Sequence, residues 1–255
     1  VTAVSKNEGF SIGKETAFSS FLGSGTLVGG NDARVLEYAQ KALPINRMDE
    51  ALVIVMMNST QYAGTCYMYH PSGGDYSNGT SIAYFPVETD ETALEEVLHH
   101  EAGGHGFAKL DDEYTIVQEI NTPTEDFINE RQRLASNGWW KNIDFTYNPM
   151  TVKWSKFLND PRYAYDGLNV FEGASTFEKG VYRPTENSIM RYNTGGFNAP
   201  SREAIYYRIH KLAYGESWQY DYEQFVAYDA INRKTRTSTH IPYRITAVSY
   251  THLRA

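Results

Sequence analysis

Residues 98–114 read LHHEAGGHGFAKLDDEY, and this stretch decides how the rest of the chain is interpreted. Apolar residues recur at helical spacing before it, so the sequence predicts one helix from Glu91 to about Phe107. Thr89 and Asp90 each offer a side chain that can cap the start of this helix. The predicted helix therefore carries two histidines and a glutamate, and an acidic turn follows it.

His100, Glu101 and His105 form the pattern H-E-x-x-x-H on this helix. Zinc sites commonly take two histidines from one helix, with a glutamate beside the first, at the shorter spacing H-E-x-x-H. Residues four apart lie about 40° apart around an α-helix, whereas residues five apart lie about 140° apart. A π-bulge at Ala102–Gly104 would absorb the extra residue and return both histidines to one face. The alternative is that the helix ends at Gly103.

Asp111 and Asp112 follow His105 after a short segment that contains glycine. A carboxylate oxygen is an accepted zinc ligand, and catalytic zinc sites keep one position open for water. We predict that Asp112 is the third ligand, with Asp111 as the alternative; the competing interpretation is a solvated acidic turn. The predicted site therefore holds one catalytic Zn²⁺ on His100, His105 and Asp112, with Glu101 as the catalytic base.

HEAGGHGFAKLDDEY, with YRPTENSIMR at residues 182–191, resembles the bacterial IgA-peptidase family of zinc metallopeptidases (metallopeptidase family sixty-four), Bacteroides-like branch. The resemblance extends over residues 1–244. Aligned on the D-E-Y that ends at Tyr114, the family's shorter motif places the extra residue between His100 and His105. The resemblance implies a secreted, periplasmic or surface-anchored endopeptidase that acts on protein or peptide substrates, including host or glycosylated proteins. It also implies that Met190 forms a hydrophobic floor under the metal.

The rest of the sequence predicts an α+β fold with a mixed twisted sheet, and the resemblance implies the metzincin or zincin type. The active-site helix is expected to pack on this sheet. Pro86 suggests that Ser81–Phe85 is a sheet edge, where an extended substrate would add as a further strand. Strands are predicted at residues 1–4, 51–57, 66–69 and 81–87. The C-terminal half is expected to be mostly helical, and further helices are predicted at residues 31–43, 125–136, 201–214 (capped by Ser201) and 221–232.

The length of 255 residues fits one catalytic domain, which we place at residues 1–246 with its N-terminal part missing. The last residues, 247–255, read AVSYTHLRA and are expected to be a non-native tail. A net charge of −8 without a basic run argues against nucleic acid as a partner. The sequence has no apolar stretch of about 18 residues, so no transmembrane segment is expected. Cys66, the single cysteine, is expected to be a buried and passive thiol.

The remaining histidines are expected to have supporting roles. His99 points about 100° away from its neighbour in the helix, which indicates packing or indirect support of the metal site. His70 and His210 are interpreted as structural or surface residues. Three other functions stay open at this stage: an inactive binding module with the same fold, a zinc hydrolase that acts on other bonds, and a structural or adhesive domain.

Overall fold

The computed structural model describes residues 17–69, 79–87, 90–117 and 121–235. The predicted strand at residues 1–4, His70, the cap candidate Thr89 and the tail at 247–255 lie outside the described residues. Within them the strands are β1 (Phe21–Leu22), β2 (Val28–Gly29), β3 (Leu52–Met57), β4 (Thr65–Met68), β5 (Ser81–Pro86), β6 (Leu168–Ala174) and β7 (Phe177–Thr185).

The described α-helices are α1 (Asp32–Ala39), α2 (Glu91–Leu98), α3 (Glu125–Ala135), α4 (Ser155–Leu158), α5 (Ile189–Tyr192), α6 (Ala199–Tyr214) and α7 (Tyr222–Thr235). A π-helix, His99–Phe107, continues directly from α2. The chain forms two compact units, Val1–Trp218 and Gln219–Ala255, and α7 belongs to the second. No described helix combines the length and apolar character that a bilayer crossing requires.

The central sheet is mixed, as predicted, and has the strand order β3-β5-β4. β3 runs parallel to β5, and β4 runs antiparallel to it. The prediction that Ser81–Phe85 is a sheet edge is wrong, because β5 is paired on both sides and every residue in it is buried. Pro86 is tolerated because β4 ends where Thr65 pairs with Tyr84, so no neighbour on that side requires an N–H from the proline.

Apolar clusters cover both faces of the sheet. Ile82 and Tyr84 of β5 pack on one face with Val35 of α1. Ala83 and Phe85 pack on the other face with Val97 of α2. Alternate residues of a strand point to opposite faces, so this central strand is apolar at nearly every position instead of alternating.

The predicted helices are confirmed with shifted ends. The start of α1 could be capped by Asn31 or Asp32 on sequence grounds, and the structure has Asn31 as the cap, whose side chain accepts a hydrogen bond from the Arg34 amide. α6 begins two residues before the expected cap Ser201, because Asn198 caps it and accepts the Ser201 amide. The second half of the chain contains the expected helices, and it also contains an antiparallel hairpin of β6 and β7, which was not predicted.

Candidate metal centre

The helix that carries the candidate site changes its winding at His99. Asp90 caps α2 by accepting hydrogen bonds from the amides of Thr92 and Ala93. From His99 to Phe107 the helix is a π-helix, and the Ala108 amide closes it by donating to the Gly103 carbonyl, five residues back. The predicted local bulge is therefore confirmed in kind, and it is longer than expected. The alternative that the helix ends at Gly103 is wrong.

The π-helix brings His100 and His105 together with Asp112. Their Nε2 atoms are 3.1 Å apart. Asp112 Oδ1 lies 3.2 Å from His100 Nε2 and 3.1 Å from His105 Nε2. These three potential ligand atoms form a nearly equilateral triangle. Bonds of about 2.0–2.1 Å to a tetrahedral zinc place two ligand atoms about 3.3 Å apart, so the triangle has the size that one zinc ion requires.

The outer nitrogen of each imidazole contacts a backbone carbonyl. His100 Nδ1 lies 2.8 Å from the Ile189 oxygen, and His105 Nδ1 lies 2.8 Å from the Leu110 oxygen. A carbonyl can only accept, so each Nδ1 carries a proton, and in its neutral form each ring would present a bare Nε2 to the other and to Asp112. Three converging acceptors repel one another unless a cation lies between them.

Electrostatics at the site favour positive charge. Burial would lower the pKa of His105, but the Asp112 and Glu101 carboxylates outweigh it and raise this pKa to about 10. Burial would raise the pKa of Asp112, but His105 and His100 hold it below its usual value. Either a proton or a metal ion can satisfy such a cluster, and only a metal ion can be shared by all three atoms at bonding distance.

The two adjacent aspartates have different surroundings. Asp112 faces the histidines, whereas Asp111 faces away and accepts hydrogen bonds from Arg131 Nε at 3.1 Å and Ser175 Oγ at 2.8 Å. Asp111 Oδ1 also accepts the Asp112 amide at 2.9 Å, which orients the neighbouring residue. Of the two candidates for a third ligand, the structure therefore brings only Asp112 into the cluster.

Met190 lies beneath the π-helix and is completely buried. A Cβ atom added to Gly104 would lie 2.3 Å from Met190 Sδ, so the thioether occupies the space that the glycine leaves open. The Met190 carbonyl accepts the Glu113 amide at 2.8 Å, and the carbonyl before it holds His100. The turn around Met190 therefore connects the first histidine to the acidic segment.

Glu113 anchors this turn from inside the protein. Its carboxylate is fully buried and accepts hydrogen bonds from Asn142 Nδ2, Ser188 Oγ and Asn198 Nδ2. Burial raises the pKa of Glu113, and these hydrogen bonds act against that shift. Nothing in the sequence indicated this network, because its members lie 29 to 85 residues away from Glu113 along the chain.

Glu101 belongs to the π-helix, and its carboxylate faces β4. The Cys66 amide donates a hydrogen bond to its carboxylate, and burial raises the pKa of Glu101 against the opposing effect of His105. A Cβ added to Gly64 would lie 2.8 Å from Glu101 Oε1, so the loop before β4 approaches the carboxylate closely. Tyr114, which was not singled out as a site residue, also belongs here, because its hydroxyl hydrogen-bonds to the Asp112 carboxylate.

His99, His210 and Cys66 lie outside the cluster of His100, His105 and Asp112. The His99 ring packs beside Phe197, with the ring centroids 6.5 Å apart. His210 stacks on Trp218 at 5.2 Å, and its Nδ1 contacts the Tyr206 carbonyl. Burial and the Glu101 charge raise the pKa of the half-buried Cys66 thiol, so this thiol stays protonated and unreactive near neutral pH.

No protein-family model matches this sequence, and no curated protein matches it at a significant level.

Proposed function

We propose that this chain is a zinc-dependent endopeptidase of the zincin type, with the ion held by His100, His105 and Asp112. One observation carries the proposal: three acceptor atoms converge in a triangle with sides of 3.1–3.2 Å, and both imidazoles have their Nδ1 atoms held by carbonyls. The residues present fit zinc, which prefers imidazole nitrogen and carboxylate oxygen in a tetrahedral set with one open position. The resemblance to the IgA-peptidase family supports the same assignment.

When bound, zinc would act as a Lewis acid that acidifies water and polarises a carbonyl group. Glu101 would accept the proton of the attacking water and donate it to the nitrogen of the leaving amine. Its raised pKa suits both steps, because a stronger base takes the proton more readily and still releases it to an amine. The Cys66 amide would hold the carboxylate in position through both transfers.

The peptide substrate would lie along β4 and not along β5. β4 is paired only with β5 among the described strands, and the Cys66 amide on its other side points at Glu101. An extended peptide beside β4 would therefore bring its carbonyl groups close to the catalytic carboxylate. This arrangement replaces the edge that we expected at Ser81–Phe85.

The proposal is tested by measuring the metal content and peptide cleavage of the parent and a Glu101→Gln variant. We expect one zinc ion per chain in both proteins and cleavage only by the parent. Glu95→Gln is the matched control, because Glu95 lies on the exposed side of α2. Folded protein without zinc would overturn the proposal.

Zinc without peptide cleavage in the parent would favour the inactive binding module, or a zinc hydrolase of another bond type. A panel of amide and glycan substrates would separate those two functions. A chelator that removes no metal and leaves stability unchanged would favour a structural or adhesive domain.

A further inference from the structure

A second polar pocket has none of the proposed metal-site residues in its lining. It lies between the end of α3, the segment that follows, α4 and α6, and has a volume of about 290 Å³. Its lining residues are Ala135, Trp139, Lys141, Lys153, Lys156 and Glu203. Three lysines therefore converge on one pocket in a chain whose net charge is −8.

A single carboxylate in the lining is shared between two of these lysines. Lys156 forms a short ion pair with Glu203, and Lys141 Nζ lies 3.9 Å from the other oxygen of the same carboxylate. Lys153 Nζ donates to the Trp140 carbonyl at 2.8 Å. The charged groups that line the pocket are three ammonium groups and one carboxylate, so the lining itself has an excess of positive charge.

The ammonium groups are close enough to repel one another, and two of the three side chains are partly exposed. The side chains of Lys141 and Lys156 are 25 % and 34 % exposed. Burial, together with the smaller effect of the Lys141 charge, outweighs the attraction of Asp144 and lowers the pKa of Lys153 to about 8. Burial also lowers the pKa of Lys141, and the Lys156 charge adds to this shift. An entering anion would relieve this repulsion.

We propose that this pocket binds a small organic phosphate or sulfate. Lysine ammonium groups are common ligands of phosphate oxygens, and three of them can contact different oxygens of one oxyanion. A water molecule takes up about 30 Å³, so a volume of about 290 Å³ exceeds what a bare oxyanion needs. The organic part of the ligand would lie against Ala135 and Trp139, which line the pocket beside the lysines.

Isothermal titration calorimetry of the whole chain tests the proposal with glucose 6-phosphate, glucose 6-sulfate, inorganic phosphate and uncharged glucose. We expect saturable binding of at least one ester and none of glucose. Lys141→Gln and Lys156→Gln should each weaken ester binding about tenfold, the effect of losing one charged hydrogen bond. Lys179→Gln is the control, because Lys179 is exposed on β7, outside the pocket lining, and it should bind like the parent.

Glu203→Gln separates ligand binding from a structural effect, because removal of the pocket carboxylate should tighten ester binding while a damaged pocket would weaken it. Three results would overturn the proposal. The first is no saturable heat from either ester, and the second is unchanged binding in both Lys141→Gln and Lys156→Gln. The third is inorganic phosphate binding as tightly as the esters, which would contradict recognition of an organic body.

Discussion

Replacing Gly104 with alanine tests whether the close approach of Met190 shapes the π-helix. The added Cβ would lie 2.3 Å from Met190 Sδ and 2.9 Å from its Cε. Gly103 is a matched control in the same π-helix, because a Cβ there would meet only Phe197 at 3.5 Å, an ordinary contact. Both substitutions replace glycine by alanine one position apart in the same helix, so they differ mainly in this contact.

The expected difference follows from the overlap. The Met190 sulfur would have to move by about 1 Å to reach the 3.4 Å at which ordinary contact begins. Methionine is adaptable, but this side chain is fully buried, so we expect an overpacking cost of about 1–3 kcal/mol. Alanine gains about 1 kcal/mol over glycine in a helix, and this gain cancels between the two variants. Gly104→Ala should therefore be less stable than Gly103→Ala by about 1–3 kcal/mol.

Urea unfolding followed by tryptophan fluorescence measures this difference, with a chelator present so that metal binding does not contribute. Zinc affinity, measured by competition with a chromophoric chelator, should fall in Gly104→Ala, because Met190 follows the carbonyl that holds His100. Gly103→Ala should keep the affinity of the parent. Equal stability and equal zinc affinity in the two variants would refute the argument that the Met190 contact shapes the site.

Three further predictions concern neighbouring residues. Asp112→Ala should abolish zinc binding in metal analysis, whereas Asp111→Ala should retain zinc. Asp111→Ala should instead lose about 3 kcal/mol of stability in urea unfolding, because the ion pair of Asp111 with Arg131 is largely buried. Zinc loss in Asp111→Ala alone would contradict this assignment. Gly64→Ala should displace Glu101 and lower kcat about 100-fold with zinc content unchanged; a parental kcat would contradict the placement. Burial and a nearby arginine lower the pKa of Lys109 to about 7, so between pH 7 and the ordinary lysine value the unfolded chain binds more protons. Over that range the parent should gain up to about 1.4 kcal/mol per pH unit relative to Lys109→Met, and a pH-independent difference would argue against the shift.

The sequence predicted a π-bulge between the histidines, although not the full length of the π-helix, because its cause is local. The spacing of His100 and His105 was incompatible with one face of an α-helix, and the intervening glycines marked where the winding could change. The choice of Asp112 over Asp111 rested on weaker grounds. Which aspartate faces the histidines depends on the chain direction after Lys109, which has a positive φ of 57°. Nothing in the sequence marked this lysine as a left-handed residue.

Features that depend on distant partners were missed. Pro86 suggested an edge strand, but whether a proline can lie in a central strand depends on where the neighbouring strand ends. The end of β4 cannot be deduced from the sequence of β5. The hairpin of β6 and β7 escaped prediction because glycines interrupt its strands and because Ser175 and Thr176 turn with positive φ. The lysines of the second pocket lie up to 15 residues apart in sequence and meet only through folding.

The extra residue between the histidines is best understood as part of the packing of the site. Gly104 faces Met190 on one side of the π-helix, and Gly106 faces Leu52 and Cys66 of the sheet, where an added Cβ would lie 2.5 Å from a leucine methyl group. A helix that approaches both layers this closely needs small residues at both positions. The π-winding lets these glycines face their neighbours while the Nε2 atoms of both histidines meet at 3.1 Å. The longer spacing between the histidines and the close packing of Gly104 and Gly106 therefore depend on the same π-winding. Deleting Gly103 would restore the shorter spacing, and it should disturb the packing against Met190 or the sheet along with the site.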